Sequence, residues 1–151
     1  MRTWNPNDGQ VDDVLTLSVD QPGFGGCVKS SPDLWRLAVS ISGTVAIADL
    51  QTGEWRHTLR ATRPSHTNIV FSPDGRQLAV VATGDRSKIW NMESGDVEQT
   101  LPGNWPHAFS HDGSRLMTSP NRQNDIVLRD LGTGDPLFSI DEPLLLTAVA
   151  I

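Results

Sequence analysis

Apolar and polar residues alternate along this chain in short bursts that never last long enough, or at the right spacing, for a helix. Leu78-Ala79-Val80-Val81-Ala82-Thr83 is an apolar run rich in β-branched residues and of strand length. Lys88-Ile89-Trp90-Asn91 and Val97-Glu98-Gln99-Thr100-Leu101 alternate with period two, as strands with one covered face do. Turn chemistry separates these runs. In Ser72-Pro73-Asp74-Gly75, Pro presets φ, Asp bonds the backbone ahead and Gly accepts a positive φ. Gly84-Asp85-Arg86 and Glu93-Ser94-Gly95-Asp96 break the chain again, so one unit reads as four short strands. No window of helical length carries apolar residues at helical spacing without Gly or Pro interrupting it, and the pattern predicts an all-β chain.

The same unit recurs. Ser31-Pro32-Asp33-Leu34-Trp35-Arg36-Leu37-Ala38, Ser72-Pro73-Asp74-Gly75-Arg76-Gln77-Leu78-Ala79 and Ser110-His111-Asp112-Gly113-Ser114-Arg115-Leu116-Met117 begin 41 and 38 residues apart. A second ladder keeps step with the first: Thr52-Gly53, Ser94-Gly95 and Thr133-Gly134, preceded by Asp8-Gly9. Five residues before these glycines stand Ala48, Trp90, Arg129 and Trp4. A period of about 40 residues marks a repeat array whose units bury a core only by stacking on one another. The units fall at 22–60, 61–101 and 102–140. They are preceded at 1–21 by a partial unit with third- and fourth-strand character, and followed at 141–151 by the first strand of a further unit.

Phe71-Ser72-Pro73-Asp74-Gly75 followed by Leu78-Ala79, then Asp85, Ile89-Trp90-Asn91 and Ser94-Gly95, resembles a WD-repeat β-propeller blade. The resemblance runs from about Trp4 to Ile151. It implies four-stranded antiparallel blades arranged radially around a channel, here as a partial or open propeller of about three and a half blades. It also implies a buried polar network, for which His66, Thr83, Asp85 and Trp90 stand at suitable positions in the second unit. The other units carry Ala48 and Arg129 where Trp90 stands, so they are expected to rely on apolar packing.

Composition narrows the function. A formal net charge of −6, with 12 scattered basic residues, argues against binding nucleic acid or an anionic membrane through bulk electrostatics. One cysteine, Cys27, permits no internal disulfide, and the sequence offers neither a signal-peptide core nor an apolar stretch of membrane-spanning length. A cytoplasmic protein is expected. Signatures of a nucleophile elbow, a phosphate-binding loop and a His-Glu-x-x-His zinc site are missing from the sequence. Gly23-Phe24-Gly25-Gly26 is followed by no helical pattern and reads as an interblade connection, while His107 and His111 sit four apart without the third ligand a metal needs. No cofactor or metal is expected.

The resemblance implies a non-catalytic scaffold for protein partners. Trp35, Trp55 and Trp105 are the candidate anchors, because exposed aromatics are favoured interface residues. Trp35 is read as replacing the turn glycine, and Trp105 as lying on an interblade loop. Arg56, Arg60 and Arg63 form the densest basic set and mark a candidate rim. The alternative is an enzyme domain with its site at the channel mouth, drawing on Asp20, Arg63 and His66, or on His107. Unpaired strand edges and bare blade faces would make the chain either a piece of a longer propeller or multidomain protein, or a subunit completed by other copies. A closed four-blade monomer would lack one strand of its last blade.

Overall fold

A computed structural model describes residues 2–4, 11–14, 27–41, 44–60, 68–82, 86–102, 105–120 and 125–140. Within them lie fourteen strands. β1 (Arg2–Trp4) and β2 (Val11–Val14) pair antiparallel as a leading strand pair. The first four-stranded sheet follows, with β3 (Val28–Ser30), β4 (Arg36–Ile41), β5 (Thr44–Asp49) and β6 (Trp55–Arg60) in sequential order. The second sheet holds β7 (Ile69–Phe71), β8 (Gln77–Ala82), β9 (Arg86–Asn91) and β10 (Val97–Pro102). The third holds β11 (Trp105–Phe109), β12 (Arg115–Ser119), β13 (Ile126–Asp130) and β14 (Pro136–Ile140). All pairings are antiparallel meanders, and among the described residues the sheets do not close into a ring.

Two turns build each sheet. In the hairpin between its first two strands, the hydroxyl of Ser31, Ser72 or Ser110 donates to the aspartate two residues on, at 2.5, 2.6 and 2.6 Å. The same serine oxygen accepts the N–H of Arg36, Gln77 or Arg115 at 2.9 to 3.0 Å. In the turn between third and fourth strands, Asp49, Asn91 or Asp130 accepts two backbone N–H groups at 2.8 and 3.1 Å. There the chain leaves through Gly53, Gly95 or Gly134 with φ of 76°, 77° and 80°, a region that penalises a Cβ. The two turns lie together at one end of each sheet, joined by Leu50, Met92 and Leu131 donating to the carbonyls of Trp35, Arg76 and Ser114.

The core lies between the sheets. Ala38, Val45, Ile47 and Leu59 of the first sheet close on Ile69, Leu78, Val80 and Met92 of the second, with Trp90 packed against this cluster. Ala79, Ile89 and Leu101 of the second close on Phe109 and Leu116 of the third. The innermost strands β3, β7 and β11 stand side by side, and the Asn68 amide donates to the Pro106 carbonyl at 2.6 Å across one interface.

Three sequence expectations change here. Leu34, not Trp35, occupies the glycine position: its φ is 61° and its N–H donates to Ser31 as Gly75 and Gly113 donate to Ser72 and Ser110. Trp105 opens β11 rather than lying on a loop, since an innermost edge strand tolerates Pro106, which has no N–H to give. The third sheet is also not purely apolar where it meets the second, because Arg129 is buried there with its Nε unpartnered.

Candidate functional site

The shared turn end of the first sheet presents an apolar surface. Leu34 is 65% and Trp35 57% exposed. Trp55 opens β6 at the same end, exposed beside the turn of Asp49 to Gly53. The hairpin tip is rigidly held: Asp33 accepts from Ser31 and from the Trp35 N–H at 3.0 Å, while the Arg36 guanidinium donates to the Gly75 carbonyl of the next sheet at 3.0 Å. The Ser31 hydroxyl and the Trp35 N–H hold the Asp33 carboxyl below the ordinary carboxylate range. The tip therefore carries a fixed negative charge beside its two large apolar side chains.

Arg56 is exposed and bonds the Asp49 carboxylate at 2.8 Å, so its charge is paired at the rim of this surface. Asp49 is held below the ordinary range first by the N–H groups of Thr52 and Gln51, and then by Arg56. Arg60 ends β6 and Arg63 lies outside the described residues. The expected basic cluster thus reduces, among described side chains, to one paired arginine.

A second feature borders the first. A groove of about 320 Å³ runs along the innermost strands, lined by Lys29, Asn68, Phe71 and His107 and bounded at one end by Leu34. His107 is half-buried and shares a 2.7 Å hydrogen bond with Ser119. Burial lowers its pKa, which keeps the imidazole neutral at pH 7. Trp105 is half-buried on the same strand. His111 sits exposed in the neighbouring hairpin, and no group of three metal-ligating side chains occurs among the described residues.

Of the polar network expected in the second unit, His66, Thr83 and Asp85 lie outside the described residues, as do Asp20, Gly23 to Gly26 and residues 141–151. Trp90 is half-buried on β9, with the Lys88 ammonium 5.8 Å from its ring centroid. Leu34 is the residue that sequence reasoning passed over. Aligning the three hairpins position by position would have found it, because Leu34 stands in the column of Gly75 and Gly113.

No family model matches the chain. An uncharacterized WD repeat-containing protein of Synechocystis is 31% identical over 100 residues, which is 63% of this chain and 28% of that protein. Among solved structures, one of the mitotic checkpoint complex superposes on 91% of this chain and 42% of its own, with a TM-score of 0.69 and 19% identity. The WD40 repeats of RRP9 superpose on 76% of this chain and 37% of theirs, with a TM-score of 0.62 and 16% identity. Hydrazine synthase of Kuenenia stuttgartiensis covers 87% of this chain and 39% of its own, with a TM-score of 0.63 and 20% identity. The chain therefore spans well under half the length of the proteins it matches. No helix among the described residues is long and apolar enough to cross a membrane. Turn-by-turn repetition, strand order and likeness to the solved structures agree: the described residues form an incomplete β-propeller, similar in sequence over 63% of the chain to a WD repeat-containing protein.

Proposed function

We infer that the chain is a non-catalytic protein-interaction scaffold, part of a larger propeller, that engages a protein partner through the turn end of its first blade. The observation that carries this reading is the hairpin tip. A left-handed Leu34 in a position that suits glycine costs roughly 1 to 2 kcal/mol, and the side chain kept there is largely exposed to solvent beside Trp35. An exposed aromatic and an exposed aliphatic on a rigid turn lose little conformational freedom on docking, which is what an anchor requires. Trp55 and Arg56 form the rim, with Trp105, Arg60 and Arg63 as further candidate contacts. His66, Thr83, Asp85 and Trp90 are assigned to holding the second blade rather than to binding.

Similarity to a chain solved in the mitotic checkpoint complex supports protein partners as the ligand class, at the level of fold. The enzyme alternative draws on the His107 and Ser119 pair, but Ser119 is buried and is not among the residues that line the groove. Nucleic-acid or membrane binding has no clustered cationic surface behind it among the described residues, and a cytoplasmic setting fits the lone Cys27.

Partner capture tests the scaffold reading. A variant carrying Leu34→Gly and Trp35→Ala, which leaves the hairpin hydrogen bonds intact, is expected to lose most of what the unaltered chain retains from a native lysate. Equal recovery of the same partners by both proteins would remove this surface as the docking site.

A further inference from the structure

The innermost strands repeat one another except where they line the groove. Counted back from Ser31, Ser72 and Ser110, β3, β7 and β11 align column by column with the residues just before them. Ser30 stands where the other two strands carry phenylalanine, and Lys29 where they carry valine and alanine. Asn68 stands in a column of cysteine and proline, and His107 in one of valine and isoleucine. Each is the polar member of an otherwise apolar column, and all four line the same groove of about 320 Å³. They meet there because the innermost strands stand side by side.

Packing does not call for these residues. Lys29 and Ser30 are exposed, and neither side chain makes an ion pair or hydrogen bond among the described residues. At His107 the β11–β12 ladder slips, between Pro106 and Ala108, whereas β3–β4 and β7–β8 pair without a slip. Such a bulge re-aims a side chain. The imidazole Nε2 is engaged by the Ser119 hydroxyl at 2.7 Å, which leaves Nδ1 without a described partner. The Asn68 amide is committed to the Pro106 carbonyl and so fixes β7 against β11. Phe71 and Leu34 supply apolar surface beside these polar groups. Among the described lining residues Lys29 is the sole charge at pH 7, and no Asp or Glu is present, on a chain whose net charge is −6.

We propose that this groove takes an extended acidic and apolar segment of the protein partner, with a carboxylate side chain on the Lys29 ammonium and the His107 imidazole and an aliphatic side chain against Phe71 and Leu34. In that complex His107 Nδ1–H donates to the carboxylate while Nε2 accepts the Ser119 hydroxyl proton. One ammonium suits a monoanion. A phosphoryl group is held by clustered arginines, and no arginine is among the lining residues described. The segment continues from the Leu34–Trp35 tip, so this inference rests on the scaffold reading and adds the partner's chemistry to it.

Nuclear magnetic resonance titration of the full chain tests the proposal, with acetyl-Glu-Ala-Leu-amide, its glutamine counterpart and inorganic phosphate as probes. The glutamate peptide is expected to bind at millimolar concentration, shifting Lys29, Val70 and His107, and roughly 5-fold more tightly than the glutamine peptide, the scale of one solvent-accessible ion pair. Lys29→Met should abolish that preference and Lys29→Arg should keep it; both fall at an exposed strand position, and far-ultraviolet circular dichroism confirms that they fold. No saturable shift at these residues, equal binding of the two peptides, a preference that survives Lys29→Met, or tighter binding of phosphate than of the glutamate peptide would each overturn it. The tip reading fails on lysate capture alone, and this one on the peptide preference alone.

Discussion

The second and third sheets share turn chemistry and strand order, yet they live in different surroundings. The second is packed on both faces: Leu78 and Val80 look toward the first sheet, Ala79 and Ile89 toward the third. Among the described residues the third is packed on one face, through Phe109 and Leu116, while its other face carries half-buried Leu128 and exposed Phe138. Local sequence makes a blade, and neighbours make it stable. A four-stranded meander this thin has no core of its own, so the burial that offsets chain entropy comes from the adjoining sheets.

The sharpest way to break that comparison is to truncate equivalent residues. Ile89→Ala, at a site 1% exposed between two sheets, is expected to cost about 2 to 5 kcal/mol, while Leu128→Ala at the matching position should cost about 1 kcal/mol because solvent already reaches it. Denaturant unfolding of both variants checks this, and equal losses would mean that the third sheet's open face is covered in solution.

Next in size is the pair of turn glycines. Gly95→Ala meets both the left-handed φ and the His57 ring at 2.6 Å, and should cost about 2 to 3 kcal/mol. Gly134→Ala finds ordinary contact distances and should cost about 1 to 2 kcal/mol from φ alone. Thermal unfolding resolves the difference; identical losses would show that the imidazole swings aside freely.

The hairpins give smaller effects. Ser72→Ala removes an acceptor for the Gln77 N–H and a donor to Asp74 at a buried site, an expected loss of about 1 to 2 kcal/mol by denaturant titration. Leu34→Gly should raise stability by about 0.5 to 1 kcal/mol, because glycine suits the φ of 61° that leucine strains to hold. A loss of stability instead would show that Leu34 packs against something in solution.

Acid should act on all three hairpins together. Asp33, Asp74 and Asp112 are each held below the ordinary carboxyl pKa of 3.8, chiefly by the hydroxyl of the serine two residues earlier. A carboxyl lowered in the folded state contributes stability that is fully present above its unfolded pKa and lost as pH falls through the folded value. The melting temperature should therefore hold down to about pH 4 and decline below it, and Asp74→Asn should flatten part of that decline. A stability curve that begins to fall well above pH 5 would point to other groups.

The all-β fold was legible from the chain because turn chemistry is local. Ser72, Pro73, Asp74 and Gly75 act on atoms within five residues of one another, so the hairpin and its repeats could be read without knowing what packs on them. Alternation in Lys88 to Asn91 likewise marked β9. The candidate site was less legible. Trp35 was singled out as an aromatic at a turn, but the strained member of that turn is Leu34, seen only when φ is known. Arg129 stands in the column of Trp90 in a unit expected to pack through apolar residues, yet it is itself buried, where burial lowers its pKa and Asp135 opposes that shift. Trp105 follows Gly103-Asn104 and precedes a proline, which reads as a loop until β12 is seen pairing with it.

By itself the sequence determined the strands, their turns and their forty-residue repeat, since hydrogen bonds within a hairpin depend on residues a few positions apart. Only the tertiary structure decided which faces are covered: His57 meets Gly95 across 38 residues of chain, and Phe138 has no such partner among the described residues. Burial is a property of the neighbour as much as of the residue, so matching positions in the second and third sheets yield, among the described residues, one closed core and one open surface.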